Sequence, residues 1–589
     1  MVLSRRFFPY FVTQCLGALN DNVYKNVLLL FVTYSQVDSL PIGVNLFVNL
    51  AAGLFILPFF LFSAHAGLIA DNIDKALLIR RLKLLEVIIM LCAAVAILTQ
   101  SYLSMLLLLF LTGVQSAYFG PVKYSLLPQV LKDKELVTGN AWVEMGTFIS
   151  ILTGTITAGF IVASDNPKFF AALSVCFLAL SGYLSSRLIP AIPLKREPKK
   201  LRFAPFSGAI NSIRKVQRTP SIWMAVLAIS WFWFLGATYL TQFPNFAKTH
   251  LHSGATVVSL LLALFSIGIA VGSFMCERLS FRQVEMGLLP FGLLGLALFG
   301  VDLYWAIPGG SWEQDQIYTA LSFLYESKHY RLMFDLFMVG VSGGVFIVPL
   351  YAFIQARTKE GECAQAIAAN NILNALFMVV SAASSMIILG VLNWSIAELF
   401  LLLAITNLAV GLYLYAKQPE LGARFIAYLH SRIFHSVTVI DRDLIPKTEA
   451  ALLIGSPCTA KELFLLQHLS IRTVRIMVKG TLRQDLWSGL LRWSGMAVEF
   501  TLPKNKGADE TCKHHFKDRE EMLNQIEFAL SDNELVYLSK EDYLLLADEF
   551  CARLAAFPKR YISINSSEAS KSGDRGRSGD TSLIVTLDR

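Results

Sequence analysis

Asn20, Asp21, Asn22 and Lys25 sit together inside an apolar run that begins at Phe8. A carboxylate within a membrane-length helix costs at least about 2.5 kcal/mol on insertion scales, so Asp21 is expected to face water, a cation or a substrate. Two readings follow. Asp21 and Lys25 are four residues apart and could neutralise each other across one helical turn. Alternatively, Asp21, Asn22 and Lys25 line a cavity and bind a polar head group. Glu86 and Glu144 raise the same question in other apolar runs. Asn140 and Glu144 fall on one helix face, and Asn370, Asn371 and Asn374 are similarly arranged. Facing polar stripes would make a hydrophilic cavity; the same side chains could instead bond between packed helices, at about 0.6 kcal/mol each. Lys123 and Tyr124 end a further run, where a cation either attracts phosphate or anchors at the interface.

A second constellation is Gly67-Leu-Ile-Ala-Asp71-Asn72-Ile-Asp74-Lys75, followed by Arg80, between two apolar runs. It resembles the signature loop of the major facilitator superfamily, a Gly and an Asp followed by basic residues. Asp71 can cap a helix and pair with a basic group from a neighbouring element, so Gly67, Asp71, Lys75 and Arg80 are expected to latch one side of the bundle in one state. The alternative is a plain charged turn.

These residues have to be positioned by helices. Twelve apolar runs, near 8–34, 43–70, 77–100, 102–122, 139–163, 169–189, 221–246, 255–276, 284–304, 332–356, 365–390 and 393–415, are long enough to cross about 30 Å of hydrocarbon. Only closed backbone hydrogen bonding survives there, so helices are implied. The 589 residues are 55% hydrophobic and 16% charged, with a mean hydropathy of +0.54, well outside the soluble range. The first run carries Asp21, Asn22 and Lys25 where a signal peptide would have a clean apolar core, and is read as a retained helix.

The net charge of +8 does not point to nucleic acid, because the basic residues lie in short loops. On one side of the twelve spans 22 Lys and Arg accumulate; on the other stand four, Lys168, Lys248, Lys328 and Arg331. The positive-inside rule therefore places both termini in the cytoplasm. The eight scattered cysteines form no Cys-x-x-Cys pair, and neither a metal nor another cofactor is expected.

A polar stretch with five prolines and nine basic residues separates six spans from six. The expected fold is an all-α membrane protein of twelve transmembrane helices in two six-helix halves, followed by a small cytoplasmic α/β domain. Its parts are a first half over 1–189, a basic linker over 190–220, a second half over 221–416, an α/β domain over 417–564 and a mostly disordered tail over 565–589. Weak internal echo supports the two halves: Gly120-Pro121-Val-Lys123-Tyr124 leads to Gly139-Asn140 much as Val348-Pro349-Leu-Tyr351 leads to Ala369-Asn370-Asn371. In the tail, β-rich segments such as 436–440, 450–455, 473–478 and 497–502 alternate with helical ones at 460–469, 483–493 and 519–530.

A narrower resemblance rests on Gly17-Ala-Leu-Asn-Asp21-Asn22, the Asp71 loop with Lys83-Leu-Leu, Ala117-Tyr-Phe-Gly120-Pro121-Val-Lys123-Tyr124, Gly139-Asn140 with Glu144, and Ala368-Ala-Asn370-Asn371. Together these resemble the bacterial lysophospholipid transporter family. The resemblance implies inward movement of a lysophospholipid, such as lyso-phosphatidylethanolamine, across the inner membrane for reacylation. Asp21 would meet the head-group ammonium and Lys123 the phosphate. Membrane lipids and a cytoplasmic acyltransferase or acyl-carrier-protein-dependent enzyme are the implied partners. A transporter of another amphipathic molecule, a drug or siderophore, is the alternative.

The tail resembles a glycerophospholipid acyltransferase in outline, through Leu444-Ile-Pro446, Ala450–Gly455 and Gly489-Leu-Leu-Arg492-Trp-Ser-Gly495. Its catalytic positions do not match. Pro457 stands where the His of His-x-x-x-x-Asp would be and Glu462 where the Asp would be, and that motif occurs nowhere in the chain. Without the imidazole the general base is gone, so a catalytically silent domain is expected. An active acyltransferase drawing on His430, His435 or His468 is the remaining alternative.

Overall fold

The computed structural model describes residues 4–34, 44–191, 205–280, 288–307, 318–359 and 361–417. Beyond these it describes 419–433, 435–440, 451–455, 459–468, 474–479, 485–500, 523–527, 529–530, 535–541, 543–544, 559–568 and 581–588. Pro457, the 444–450 segment and the basic stretch 192–204 lie outside the described residues. The chain divides into two compact units, one ending at Gly411 and one beginning at Leu412 that also takes in residues 285–290.

The first unit opens with six long helices: α1 (Phe8–Tyr34), α2 (Val44–Asn72), α3 (Lys75–Leu98), α4 (Tyr102–Val130), α5 (Asp133–Val162) and α6 (Pro167–Arg187). A shorter helix, α7 (Pro205–Gln217), precedes α8 (Pro220–Thr249), α9 (Ala255–Leu279) and α10 (Leu289–Ala306). After the single-turn α11 (Ala320–Tyr325) come α12 (Tyr330–Arg357), α13 (Cys363–Met386) and α14 (Ile396–Lys417). Ten of the described helices are long and apolar enough to cross a membrane. The two further helices expected to span, α1 and α3, have 27 and 24 residues but carry the charges discussed above.

Within the first half, Val23, Tyr24, Val27 and Leu28 of α1 share one buried apolar cluster with Ile89, Met90 and Ala93 of α3 and with Ala171, Val175 and Ala179 of α6. In the second half, α9 and α12 touch backbone to backbone. A Cβ at Gly268 would come within 3.0 Å of the Gly340 Cα, so small residues are required there. The linker, read from sequence only as basic, contains α7, whose Ala209 packs against Ala64 of α2 and Ile372 of α13.

In the second unit, α15 (Pro419–Ile433) leads into a seven-stranded sheet: β1 (His435–Ile440), β2 (Ala451–Gly455), β3 (Val474–Lys479), β4 (Ala497–Phe500), β5 (Leu535–Ser539), β6 (Lys559–Glu568) and β7 (Thr581–Asp588). The order is β1-β7-β6-β2-β5-β3-β4, with β7 antiparallel to β6 and every other pairing parallel. Parallel neighbours need crossovers, and α16 (Ala460–Leu465) and α17 (Leu486–Trp493) supply two of them. Leu453, Ile476 and Tyr537 bury one face of the sheet while Leu452, Met477 and Val536 bury the other.

The stretch 565–589, expected to be mostly disordered, includes the end of β6 and all of β7. The eight-residue antiparallel register from Tyr561↔Asp588 to Glu568↔Thr581 supplies the backbone partners that its composition did not suggest.

Candidate functional site: a polar seam between the two halves

The signature loop divides by function. Asp71, at the end of α2, reaches across to the second half and caps α13. Its Oδ1 accepts the Ala364 N–H at 3.1 Å, and its Oδ2 accepts the Gln365 N–H at 3.1 Å and the Gln365 amide at 3.3 Å. A carboxylate there satisfies orphan donors and meets the positive end of the helix dipole. The expected pairing with a basic side chain is replaced by these amides. Gly67, one turn earlier, permits the approach: a Cβ there would lie 2.7 Å from the Ala368 Cβ and 2.8 Å from the Ala364 carbonyl oxygen. Lys75 and Arg80 stay within the first half. Lys75 donates to the Ala70 carbonyl at 2.9 Å, and Arg80 to the carbonyls of Ile189 at 2.5 Å and Ser186 at 3.5 Å. The cap on α3 itself is Asp74, which accepts from Leu77 N–H at 2.9 Å.

Deeper in the same end of the bundle, α4 and α5 meet α12 and α13. Tyr124 donates to Glu144 at 2.5 Å, and its ring stacks on Tyr351 with centroids 4.2 Å apart. The Asn370 amide reaches the Tyr351 hydroxyl at 3.5 Å. Lys123 donates to Thr147 at 2.8 Å, and Thr147 to Gln14 at 3.1 Å, tying α4, α5 and α1 together. Asn140 and Gln355 exchange two amide hydrogen bonds of 2.8 and 2.9 Å across the seam. Asn371 lies against Gly120, where a Cβ would come 2.5 Å from its amide nitrogen. The second carboxylate oxygen of Glu144 and the amide oxygen of Asn370 are buried without a hydrogen-bond partner. Buried polar atoms without a partner are rare in folded proteins, which sets these two apart from the satisfied amides beside them.

The other predicted residues are placed elsewhere. Asp21 accepts from Ser116 at 2.6 Å, with its other oxygen buried and unpartnered. Lys25 turns to Asn22 at 3.1 Å and lies 5.7 Å from the Phe55 ring, so the mutual Asp21–Lys25 ion pair is not formed. Asn22 in turn donates to the Ala18 carbonyl at 2.8 Å. Asn374 accepts from Ser230 at 2.9 Å inside the second half. The structure thus gathers Lys123, Tyr124, Asn140, Glu144, Asn370 and Asn371 at the seam, and leaves Asp21, Asn22, Lys25 and Asn374 each within one half.

Sequence reasoning singled out Glu86 but missed the buried group around it. Lys83 and Glu86 form an ion pair of 2.6 Å with both side chains almost wholly buried, 1% and 2% exposed. Asn20 at 3.1 Å and Gln115 at 3.2 Å complete the carboxylate's bonding, and the Lys83 ammonium lies 5.0 Å from the Phe119 ring. The available signal was Lys83 and Glu86 three residues apart on one helix face, both inside a membrane-length helix.

In the tail, Glu462 accepts from the Thr459 N–H at 2.9 Å and its hydroxyl at 3.0 Å, while Thr459 caps α16 in return. Glu462 is therefore occupied as half of a capping box. His430 packs edge-on against Trp487, with ring centroids 4.4 Å apart.

Two helix bundles meeting at a polar seam define a membrane transporter by fold. The family model described as Major Facilitator Superfamily matches residues 11–324, and the chain belongs to that superfamily. Among curated proteins it is similar to the lysophospholipid transporter LplT of Enterobacter sp. (strain 638), 26% identical over 356 residues, 59% of this chain and 79% of the relative. The lysophospholipid transporter LplT of Cronobacter sakazakii (strain ATCC BAA-894) is 25% identical over 382 residues, 63% and 85% of the two chains. The crystal structure of the human organic anion transporter MFSD10 (TETRAN) shares the fold at 12% identity, with a TM-score of 0.57 over 69% of this chain and 97% of that one. The proton:xylose symporter XylE does so at 10% identity, with a TM-score of 0.51 over 69% and 95%.

Proposed function

We propose that the protein moves a lysophospholipid inward across a bacterial inner membrane, through twelve spans, with both termini and the α/β unit on the cytoplasmic side. The observation that carries this reading is the buried cation–carboxylate–phenol group of Lys123, Glu144 and Tyr124, placed where the two halves meet. A zwitterionic head group presents one anionic and one cationic centre, and Lys123 suits its phosphate. Asp21, with an oxygen unpartnered, suits its ammonium, and Asn22 and Lys25 stand beside it. Asn140, Asn370, Asn371 and Asn374 supply neutral donors and acceptors for the opened seam. The likeness to lysophospholipid transporters over both halves supports the substrate class.

The contacts at Asp71, Asn140 and Tyr124 all lie at the end of the bundle that faces the linker. On the positive-inside assignment this is a state closed to the cytoplasm, and Gly67 and Asp71 are its latch, with Lys75 and Arg80 bracing the loop on the first half. The tail acts as a silent acyltransferase-like domain that docks a partner, a cytoplasmic acyltransferase or acyl-carrier-protein-dependent enzyme. Its lack of the His-x-x-x-x-Asp pair and the capping role of Glu462 support that reading.

The test is uptake of labelled lysophospholipid into proteoliposomes by the wild type, Lys123→Ala and Asp21→Ala. Uptake by the wild type that is lost in both variants supports the assignment. No uptake by any of them, alongside uptake of a soluble amphipathic drug or siderophore, overturns it.

A further inference from the structure

Helix α7 is placed where no linker needs to be. Ala209 packs between Ala64 of α2 and Ile372 of α13, so the helix bridges the two halves directly over their seam. At its far end Lys215 pairs with Glu362 at 3.0 Å and donates to Gln365 at 3.2 Å, the same Gln365 whose amide bonds Asp71. At its near end Phe206 meets Phe60 edge-on, with ring centroids 6.5 Å apart. Phe60 stands eleven residues before Asp71, so on a helix rising 1.5 Å per residue α7 reaches about 16 Å along α2 from the latch.

The composition of α7 follows that placement. Residues 205–213 carry no charge, while Arg214 and Lys215 stand in its last turn. Its outward stripe begins with Phe206 and Ile210, 64% and 50% exposed, beside Phe60, itself exposed at 37% on a membrane-spanning helix. Large apolar side chains in continuity with a lipid-facing surface belong in hydrocarbon, and basic residues at the same helix's other end belong among head groups.

We propose that α7 is a lateral gate: its Phe206–Ile210 stripe is bedded in the acyl chains of the linker-side leaflet, and its opposite face closes the α2–α13 seam against that leaflet. A single-chain lipid leaves the seam sideways only when α7 swings away from α2. Only the identity of that lipid rests on the function proposed above; the seat of the helix does not.

Two measurements test this. A photoreactive phenylalanine analogue at position 206 or 210, irradiated in phospholipid vesicles, should form acyl-chain adducts seen by mass spectrometry, and one at position 217 should not. Absence of lipid adducts at 206 and 210, or equal adducts at all three, overturns the seat. For the gate, a Cβ at Gly208 would lie 3.5 Å from the Ala64 Cβ, within disulfide range. The pair Gly208→Cys with Ala64→Cys should lose lysophospholipid uptake at least about tenfold on oxidation and regain it on reduction, the reduced state showing that the variant is folded. Equal uptake in both redox states overturns the gate. If the wild type takes up no lysophospholipid, the substrate reading fails while the adduct pattern still decides where α7 lies.

Discussion

Two buried polar groups in this bundle are built to opposite ends. The Lys83–Glu86 group with Asn20 and Gln115 lies wholly inside the first half and closes on itself. The seam group of Asp71, Tyr124 and Asn140 finds its partners on α12 and α13, up to 294 residues away. An ion pair of 2.6 Å inside one half survives any rigid movement of that half. Amide pairs, a helix cap and a ring stack across the seam are each weak enough to break together when the halves part. A transporter that rocks between states needs both kinds, a strong bond where nothing moves and several weak ones where something must.

The largest effect is expected from breaking the internal pair one-sidedly. Glu86→Ala leaves the Lys83 ammonium buried without its carboxylate and should cost about 3–5 kcal/mol, read as a large fall in thermal stability in detergent. Lys83→Met combined with Glu86→Leu should restore stability to near the wild type, since replacing both charges by apolar groups is neutral or better. A Glu86→Ala protein as stable as the wild type would remove the contrast between the two groups.

Next comes steric interference at the seam. Gly67→Val puts side-chain atoms into the space held by Ala368 and the Ala364 carbonyl. It should abolish most uptake with little change in stability, because it opposes one state rather than the fold. Cys363, buried beside the latch, should become labelled by maleimide in this variant, read peptide by peptide. Asp71→Ala should have a smaller effect, about 0.5–2 kcal/mol on the balance of states, the usual worth of a helix cap. Asp71→Asn should recover part of it, keeping an acceptor while losing the charge on the dipole. Equal Cys363 labelling in the wild type, Gly67→Val and Asp71→Ala would mean that the latch does not hold the seam.

Much of this was legible in the sequence, because bilayer thickness dictates helix length and the polar residues interrupt otherwise apolar runs. Gly67, Asp71, Lys123, Asn140 and Glu144 stood out on that account. Their partners did not. Nothing local says that Asp71 caps a helix almost 300 residues later rather than its own neighbour, whose cap is Asp74. Nor does the sequence tell Asp21–Lys25, four apart and unpaired, from Lys83–Glu86, three apart and tightly paired. Rotamer and neighbouring-helix packing decide that, through Ser116 in one case and Asn20 with Gln115 in the other. The tail strands β5, β6 and β7 escaped for a related reason, since their pairing is non-local.

The smallest expected effect is the sharpest test of the seam as a set of separable weak contacts. Asn140 and Gln355 exchange two buried amide hydrogen bonds and Asn140 also donates to the Leu136 carbonyl at 2.8 Å, so truncating either one leaves an amide oxygen or nitrogen of the other short of a partner. A double-mutant cycle with Asn140→Ala and Gln355→Ala should give a coupling of about 0.6 kcal/mol and no more than about 1.7, the range measured between membrane helices. Read through Cys363 labelling, that is about a threefold shift in the balance of states for the average value, at 1.4 kcal/mol per tenfold. A coupling near zero would show that the two amides are apart in the state that dominates in the membrane. One as large as the loss from Glu86→Ala would make the seam as rigid as the interior of a half, and a seam of that kind could not open and close on each cycle.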